Sequence, residues 1–526
     1  MTAEPLLPAT DVTFDEVGLL AATRSVRKHS RVVRDRRTRS IGLATGVAPL
    51  PPEVELLGTL PPTYPEWLGD RDFLTEHGAR FPYVAGEMAN GIAGTRMVVA
   101  MAEAGMLGIF GAGGLAPAEI ECALAELTKS LRGRRNWGVN LIHMPGAPEL
   151  EDRVADLLIA AGTPIVSASA FMELTPAVVR CSAAGLTVDR QGRIVRRTKL
   201  IAKVSRPEIA EQFMAPAPPQ ILEHLVTRRL LSATEALLAR KIPVAQDVTA
   251  EADSGGHTDN RPLSVLLPSL LASRDTMSSR LRVPAVRVGA AGGIGTPAAV
   301  AGAFATGAAY VVTGTINQTA VEAELSGAAK ELLAQADLMD VCMAPASDMF
   351  ELGIKLQVLR RGTMFAGRAA QLYELYQSFD SFESIPAQRR QVLERTVLGE
   401  SFQSAWTATR AYWLHRDPGQ VARAERDPRH LMALVFRSYL GRSSQWAIDG
   451  TPARRTDFQI WCGPVIGAFN RWIGDSFLSH AENRTVAQIG LNLMEGAAVV
   501  TRAQQLRSSG VPVPSAAFSF VPRPLA

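Results

Sequence analysis

"VRVGAAGGIGTPAAVAGAFATGAAYVVTGTINQ", Val286 to Gln318, decides the fold. It holds an apolar strand, a glycine run, a small-residue helix and a second apolar strand ending in Thr-Gly-Thr, which is one βαβ unit. Upstream, the same alternation runs back to Phe81. The strands it predicts are Pro82–Met88, Met106–Ala112, Asn136–Ile142, Thr163–Ser169, Lys199–Ser205, Ile242–Val248, Ala285–Ala291 and Ala308–Gly314. Between them, segments such as "PAEIECALAELTKSL" and "ELEDRVADLLIAAG" space apolar residues as helices do and end near glycine. Eight βα units in order predict an α/β fold, a (β/α)8 TIM barrel, over an open doubly wound sheet. "LTVDRQGRIVRRTK" interrupts the alternation and predicts a small hairpin turning at Gln191-Gly192.

The 526 residues exceed the roughly 250 of one barrel, so appendages are expected. Residues 1–75 form an N-terminal extension whose repeated prolines predict an extended, packed connector. The barrel occupies 76–345. A helical lid follows over 346–380, with Ser347–Gln377 reading as two helical pieces broken at Arg361-Gly362, and a mostly helical C-terminal subdomain fills 381–526.

Composition narrows the function classes. The balance is globular, 47% apolar and 20% charged, with no apolar run long enough to span a bilayer and no basic-then-apolar leader at the start. Cys122, Cys181, Cys342 and Cys462 are scattered, which fits a reducing cytoplasm, and no spacing of histidines and cysteines suggests a metal. A net charge of +4 is too small to argue for nucleic acid. The basic run Arg24–Arg39 reads either as a solvated helix or arm, or as a docking patch for an acidic partner.

Barrel enzymes react substrates at the C-terminal ends of the strands, and the loops after strands seven and eight commonly hold phosphate on backbone N–H groups. "AAGGIG" and "TGT" stand at that address. After strand six, "ADSGGH" puts His257 beside small residues, an imidazole placed to donate a hydrogen bond or move a proton. Asn140 ends strand three and Lys203 lies in strand five. No P-loop, no Gly-x-Ser-x-Gly elbow and no Rossmann glycine turn is present.

The motifs "GEMANGIAG", "NWGVNL", "ADSGGHTDNRP", "GAAGGIGTP", "TGTINQ" and "SDMFELGIKLQVLRRGTMF" resemble those of the trans-acting enoyl reductases of bacterial polyketide and polyunsaturated fatty acid synthases, within the nitronate monooxygenase-like flavoproteins. The resemblance continues through "FRSYLGRSSQWA" and "WCGPVIGAFNRW". It implies bound FMN, NADPH as hydride donor, and reduction of an α,β-unsaturated acyl thioester on an acyl carrier protein. A trans-acting acyltransferase and a homodimer are further partners it allows. Carried over by motif, Met88, Ala89 and Asn90 lie by the flavin ring, Asn140 and Gln246 contact the cofactor, and Gly255 and Gly256 offer backbone contacts beside His257. Ala291, Gly292, Gly293, Gly314 and Thr315 form the phosphate cradle. His257 is the catalytic residue, as oxyanion donor or proton donor, and Lys203 is a second catalytic candidate facing flavin or acyl chain. Lys355 or Gln357 reaches for the phosphopantetheine arm, or both are solvated. The alternative is a nitronate monooxygenase-like flavin oxidase of a small carbon acid.

Overall fold

Two adjacent buried valines, Val32 and Val33, set between Arg31 and Arg34 at an irregularity in the strand pairing, lie in a strand where charge alone reads a basic arm. In the computed structural model, which describes residues 10–256 and 258–526, the N-terminal segment is an antiparallel sheet. Its strands β1 (Asp11–Thr13), β2 (Ser30–Asp35), β3 (Ile41–Thr45) and β4 (Val54–Leu60) lie in the order β1-β3-β2-β4. The expected proline connector is therefore corrected: the prolines flank β4, and the basic run supplies a helix end, β2 and the β2–β3 turn. Asp35 closes that turn by accepting the N–H groups of Arg37 and Thr38. Arg31 donates to Thr10 and to the Ala48 carbonyl.

The barrel follows. Its strands are β5 (Tyr83–Ala85), β6 (Leu107–Phe110), β7 (Trp137–Ile142) and β8 (Ile165–Ser169). After the hairpin β9 (Thr187–Val188) and β10 (Ile194–Val195) come β11 (Lys199–Val204), β12 (Asp247–Glu251), β13 (Arg287–Ala291) and β14 (Val311–Thr313). Among the described residues these eight parallel strands close on themselves, β8 pairing with β11 and β14 with β5. The α/β barrel and the hairpin are as the sequence predicts. The sixth strand begins later than expected, at Asp247. Pro243 has no N–H to give a ladder, and the N–H groups of Val244 and Ala245 are taken by the carbonyls of Ala215 and Phe213.

Inside, Leu107, Ile109, Ile165, Ile201 and Val312 fill the middle of the barrel. The base is closed by helix Arg71–His77, whose Phe73 ring stacks on Tyr310 at 4.3 Å. Beside it Asp247 is held 2.8 Å from His77 Nε2 and 2.5 Å from Arg287 Nε. Burial opposes ionisation of Asp247, but the His77 imidazole and the Arg287 guanidinium outweigh it and hold the carboxyl below its ordinary range.

The chain divides into two compact units: residues up to Ala252 with Asp259–Ala323 and Arg471–Ala526, and Asp253–Thr258 with Glu324–Asn470. This division cuts across the expected 381–526 segment. Helix Val486–Ser508 belongs with the barrel because its glycines let it come close: a Cβ on Gly496 would lie 2.6 Å from the Pro297 ring, and one on Gly490 2.6 Å from Met106 Sδ. The buried Arg502 on the same helix donates to Ser30 and Thr63, tying it to the N-terminal sheet.

The second unit contains an antiparallel pair, β15 (Val341–Pro345) and β16 (Lys355–Leu359), then helices that include Phe365–Ser378, Phe402–Arg416 and Pro428–Asp449. Of the two helical pieces expected over Ser347–Gln377, the second is a helix and the first is a single 3-10 turn, Phe350–Leu352, followed by β16, with the break at Gly362, φ 71°. Leu356 and Val358 are fully buried, and β16 meets its hydrogen-bonding needs across β15 rather than along itself. No described helix is long and apolar enough to cross a membrane.

Candidate active site

At the C-terminal ends of the strands the barrel interior turns from apolar to charged. Lys203, the penultimate residue of β11, points its Nζ 3.1 Å from Oε1 of Glu87 and 2.9 Å from Oε1 of Glu251. Glu87 stands just beyond β5, Glu251 ends β12, and Ser167 of β8 also donates to Glu87. Burial pulls the Lys203 pKa down, yet the carboxylates of Glu251 and Glu87 outweigh it and raise the pKa above the ordinary lysine value. Lys203 is therefore a fixed cation at neutral pH, unsuited to act as a base. The two glutamates are partners of Lys203 that sequence reasoning missed; the signal available was an acid at the end of each of two strands.

Asn140 on β7 donates to the Ser167 carbonyl (3.1 Å) and to Ser169 Oγ (2.8 Å), while its Oδ1 lies 3.4 Å from where a Cβ on Gly113 would stand. That glycine belongs to the loop after β6, which holds the Met88–Asn90 loop by close backbone contact. The Met88 carbonyl would collide with any Cβ on Gly111, and the Asn90 N–H donates to the Gly113 carbonyl at 2.7 Å. Asn90 itself sits in the left-handed region at φ 57°, a conformation asparagine tolerates better than most residues. Met88, Ala89, Asn90 and Asn140 are thus brought to one side of the mouth.

On the other side, β13 ends at Ala291, whose carbonyl accepts from the Ala252 N–H, and the chain turns through Gly292 (φ 87°) and Gly293 (φ 70°) into helix Pro297–Ala305. Gly314 follows β14, and Thr315 opens the 3-10 helix Thr315–Thr319. A Cβ on Gly293 or Gly314 would meet nothing within 4 Å. Among the described residues the N–H groups of Gly292, Gly293 and Gly314 donate to no backbone carbonyl. Open space, N–H groups that no described backbone carbonyl takes and a helix N-terminus are the features an anion cradle requires.

One expected site residue falls elsewhere in the barrel, and others belong to the second unit. Gln246 precedes β12, so it lies at the closed base of the barrel, its backbone bonded to Leu200 and Arg287, and it is not at the mouth. Gly255 and Gly256 belong to the second unit. Gly255 is there for packing, since a Cβ would lie 2.7 Å from the Cys462 nitrogen; Gly256 has nothing within 4 Å of that position. Gln357 is buried and donates to Asp253 at 2.6 Å, whereas Lys355 is exposed. His257 lies outside the described residues. Among those described, no group of His, Cys, Asp and Glu is placed to hold a metal.

Comparison with known proteins agrees with this fold. Residues 71–378 match the nitronate monooxygenase family model. Residues 379–458 match the inserted helical domain of [acyl-carrier-protein] S-malonyltransferase. The chain belongs to the nitronate monooxygenase family, in the branch that contains the enoyl reductase domain of MlnA from the macrolactin cluster of Bacillus amyloliquefaciens. Against that domain the identity is 35% over 84% of this chain and 99% of the other, with a TM-score of 0.80. The polyketide biosynthesis protein PksE of Bacillus subtilis is 42% identical over 83% of this chain and 56% of its own length. A polyunsaturated fatty acid synthase polypeptide of Thraustochytrium is 43% identical over 86% of this chain, which spans 31% of that much longer relative.

Proposed function

We propose that the chain is an FMN-dependent enoyl reductase that uses NADPH and acts in trans on α,β-unsaturated acyl thioesters of an acyl carrier protein, in polyketide or polyunsaturated fatty acid synthesis. The observation that carries this reading is the anion cradle at the ends of β13 and β14, in a barrel that matches the enoyl reductase domain of MlnA along nearly all of that domain.

FMN fits the residues present. Gly293 and Gly314 leave room that a side chain would fill, beside N–H donors and ahead of a helix N-terminus, which is the donor set a phosphate takes. When bound, the group supplies a two-electron relay between nicotinamide and the substrate double bond. Gly292, Gly293, Gly314 and Thr315 hold the phosphate. Met88, Ala89 and Asn90 flank the ring with a backbone that Gly111 and Gly113 keep in place. Asn140 turns its amide oxygen toward the mouth. Lys203 moves no proton; it orders Glu87 and Glu251 and offsets part of their charge beneath the reacting groups. His257, with Gly256 beside it, gives a hydrogen bond or a proton to the thioester.

The test is anaerobic. NADPH should bleach the flavin of the purified protein, and a crotonyl thioester on a carrier protein should restore it, with mass spectrometry finding two hydrogens added to the acyl chain. The family match itself favours a second reading, a flavin oxidase of a small carbon acid. Recovery of the flavin by oxygen alone, with turnover of a nitronate, would select it.

A further inference from the structure

Lys203 and Glu87 meet across the barrel. In the closed ring of strands β11 and β5 stand four places apart in either direction, so the 3.1 Å contact between Lys203 Nζ and Glu87 Oε1 spans the lumen. Glu251 reaches the same Nζ from β12 at 2.9 Å, and Ser167 Oγ on β8 donates to Glu87 at 3.1 Å. The three charged side chains are nearly enclosed, with 13% of Lys203, 7% of Glu87 and 15% of Glu251 exposed. One cation against two carboxylates leaves this layer with a single net negative charge.

Backbone pairing puts each glutamate one step from the glycine turns. Glu251 is in register with Ala291, whose carbonyl accepts from the Ala252 N–H before the chain turns through Gly292 and Gly293. Gly86, just before Glu87, donates its N–H to the Thr313 carbonyl at 2.9 Å, and Gly314 follows Thr313. Met88 comes next after Glu87. The layer therefore lies between the glycine turns and the Met88–Asn90 loop, and a flat group anchored at the first and flanked by the second passes over it. The charged cluster at the base, Asp247 with His77 and Arg287, stands back at the other end of β12, roughly 13 Å away by the rise of a strand.

We propose that the layer of Lys203, Glu87 and Glu251 sets the reduction potential of the flavin, its net negative charge making the reduced cofactor a stronger hydride donor; this rests on the FMN-dependent enoyl reductase reading. Hydride leaves the nicotinamide with both electrons of its C–H bond, so NADP+ remains and the cofactor above the layer gains one negative charge. That charge departs when the hydride forms the C–H bond at the β-carbon. The π pair then moves to the α-carbon and thioester oxygen, and a proton from His257 or water completes the saturated chain. Enclosed negative charge in a medium of low dielectric opposes the first transfer and favours the second. Lys203 limits the field of the two carboxylates, so that NADPH can still reduce the cofactor.

Equilibration of the flavin-loaded protein with a reference dye at neutral pH tests the assignment without turnover. Glu251→Gln keeps Lys203 beside Glu87 and makes the layer neutral. Its flavin should shift at least about tenfold toward the reduced form, a rise of about 30 mV for a two-electron couple. In rapid mixing the same variant should be reoxidised more slowly than wild type by crotonyl carrier thioester. Lys203→Met combined with Glu251→Gln restores a single negative charge and should bring the potential back toward the wild-type value, a reversal that a merely structural role would not give. A smaller shift in Glu251→Gln, a shift toward the oxidised form, or a double variant that keeps the potential of Glu251→Gln overturns the assignment and leaves the reductase reading standing. Wild-type reduced flavin that no enoyl thioester reoxidises overturns the reading itself.

Discussion

Lys203 Nζ lies 2.9 Å from Oε1 of Glu251 on the neighbouring strand, inside the mouth of the barrel. Parallel register places Lys203 opposite Thr249, so the side chain leans one pleat upward to reach Glu251 and from there also touches Glu87.

Removing the cation strands two carboxylates in a partly dry site. Lys203→Met should destabilise the fold by about 3–5 kcal/mol, the range for breaking a buried pair from one side. Urea denaturation checks the magnitude, and Lys203→Met combined with Glu251→Gln should recover part of the loss.

The raised Lys203 pKa has a definite sign in pH. Because the folded value exceeds the unfolded one, its stabilisation is complete below about pH 10, the free-lysine range, and is lost as pH climbs through the folded value. Alkaline melting curves should show that loss in the wild type and lack it in Lys203→Met.

At the base of the barrel the sign reverses. The folded pKa of Asp247 is depressed, so its stabilisation is present above roughly pH 4, the free-aspartate value, and is lost as pH falls through the folded value. Asp247→Asn should be less stable than wild type at neutral pH, with the gap closing in acid unfolding experiments.

Gly314→Ala separates cradle from scaffold. Its φ of −128° lies outside the left-handed region that favours glycine, and the added methyl enters open space, so thermal stability should change by less than about 1 kcal/mol. Flavin affinity should nonetheless fall at least about tenfold, equivalent to 1.4 kcal/mol. Equal flavin retention in wild type and variant would show that Gly314 does not border the phosphate.

Gly496→Ala should cost about 1–3 kcal/mol, because its Cβ would stand 2.6 Å from the rigid Pro297 ring and the fit must shift. Pro297 is the first residue of the helix behind the glycine loop, so flavin retention should fall with stability.

Alternating apolar runs and helical segments were enough to read the barrel, because each βα unit is encoded locally by its own periodicity. The glycines of "GAAGGIG" were legible for the same reason: a turn with positive φ leaves its mark in the residue type. Gln246 was placed at the cofactor by resemblance alone; the run before it reads as a strand, whereas the N–H groups of Val244 and Ala245 go to the C-terminal end of helix Pro207–Met214 and the strand begins only at Asp247. The N-terminal sheet was hidden by charge, since Arg31 and Arg34 flank the two buried valines of β2, and the irregularity between those valines removes the alternation that marks a strand.

Thus the sequence by itself determined the class of fold, the order of its units and the positions of the glycine turns after β13 and β14 that we propose as an anion cradle. Only the tertiary structure decided that Lys203 is a paired cation, that Asn90 folds over the Gly111–Gly114 loop and that His143 has Glu151 as partner. The physical reason is that an ion pair or a hydrogen bond depends on where strand ends converge, and spacing along one chain carries no record of which neighbour lies a pleat away.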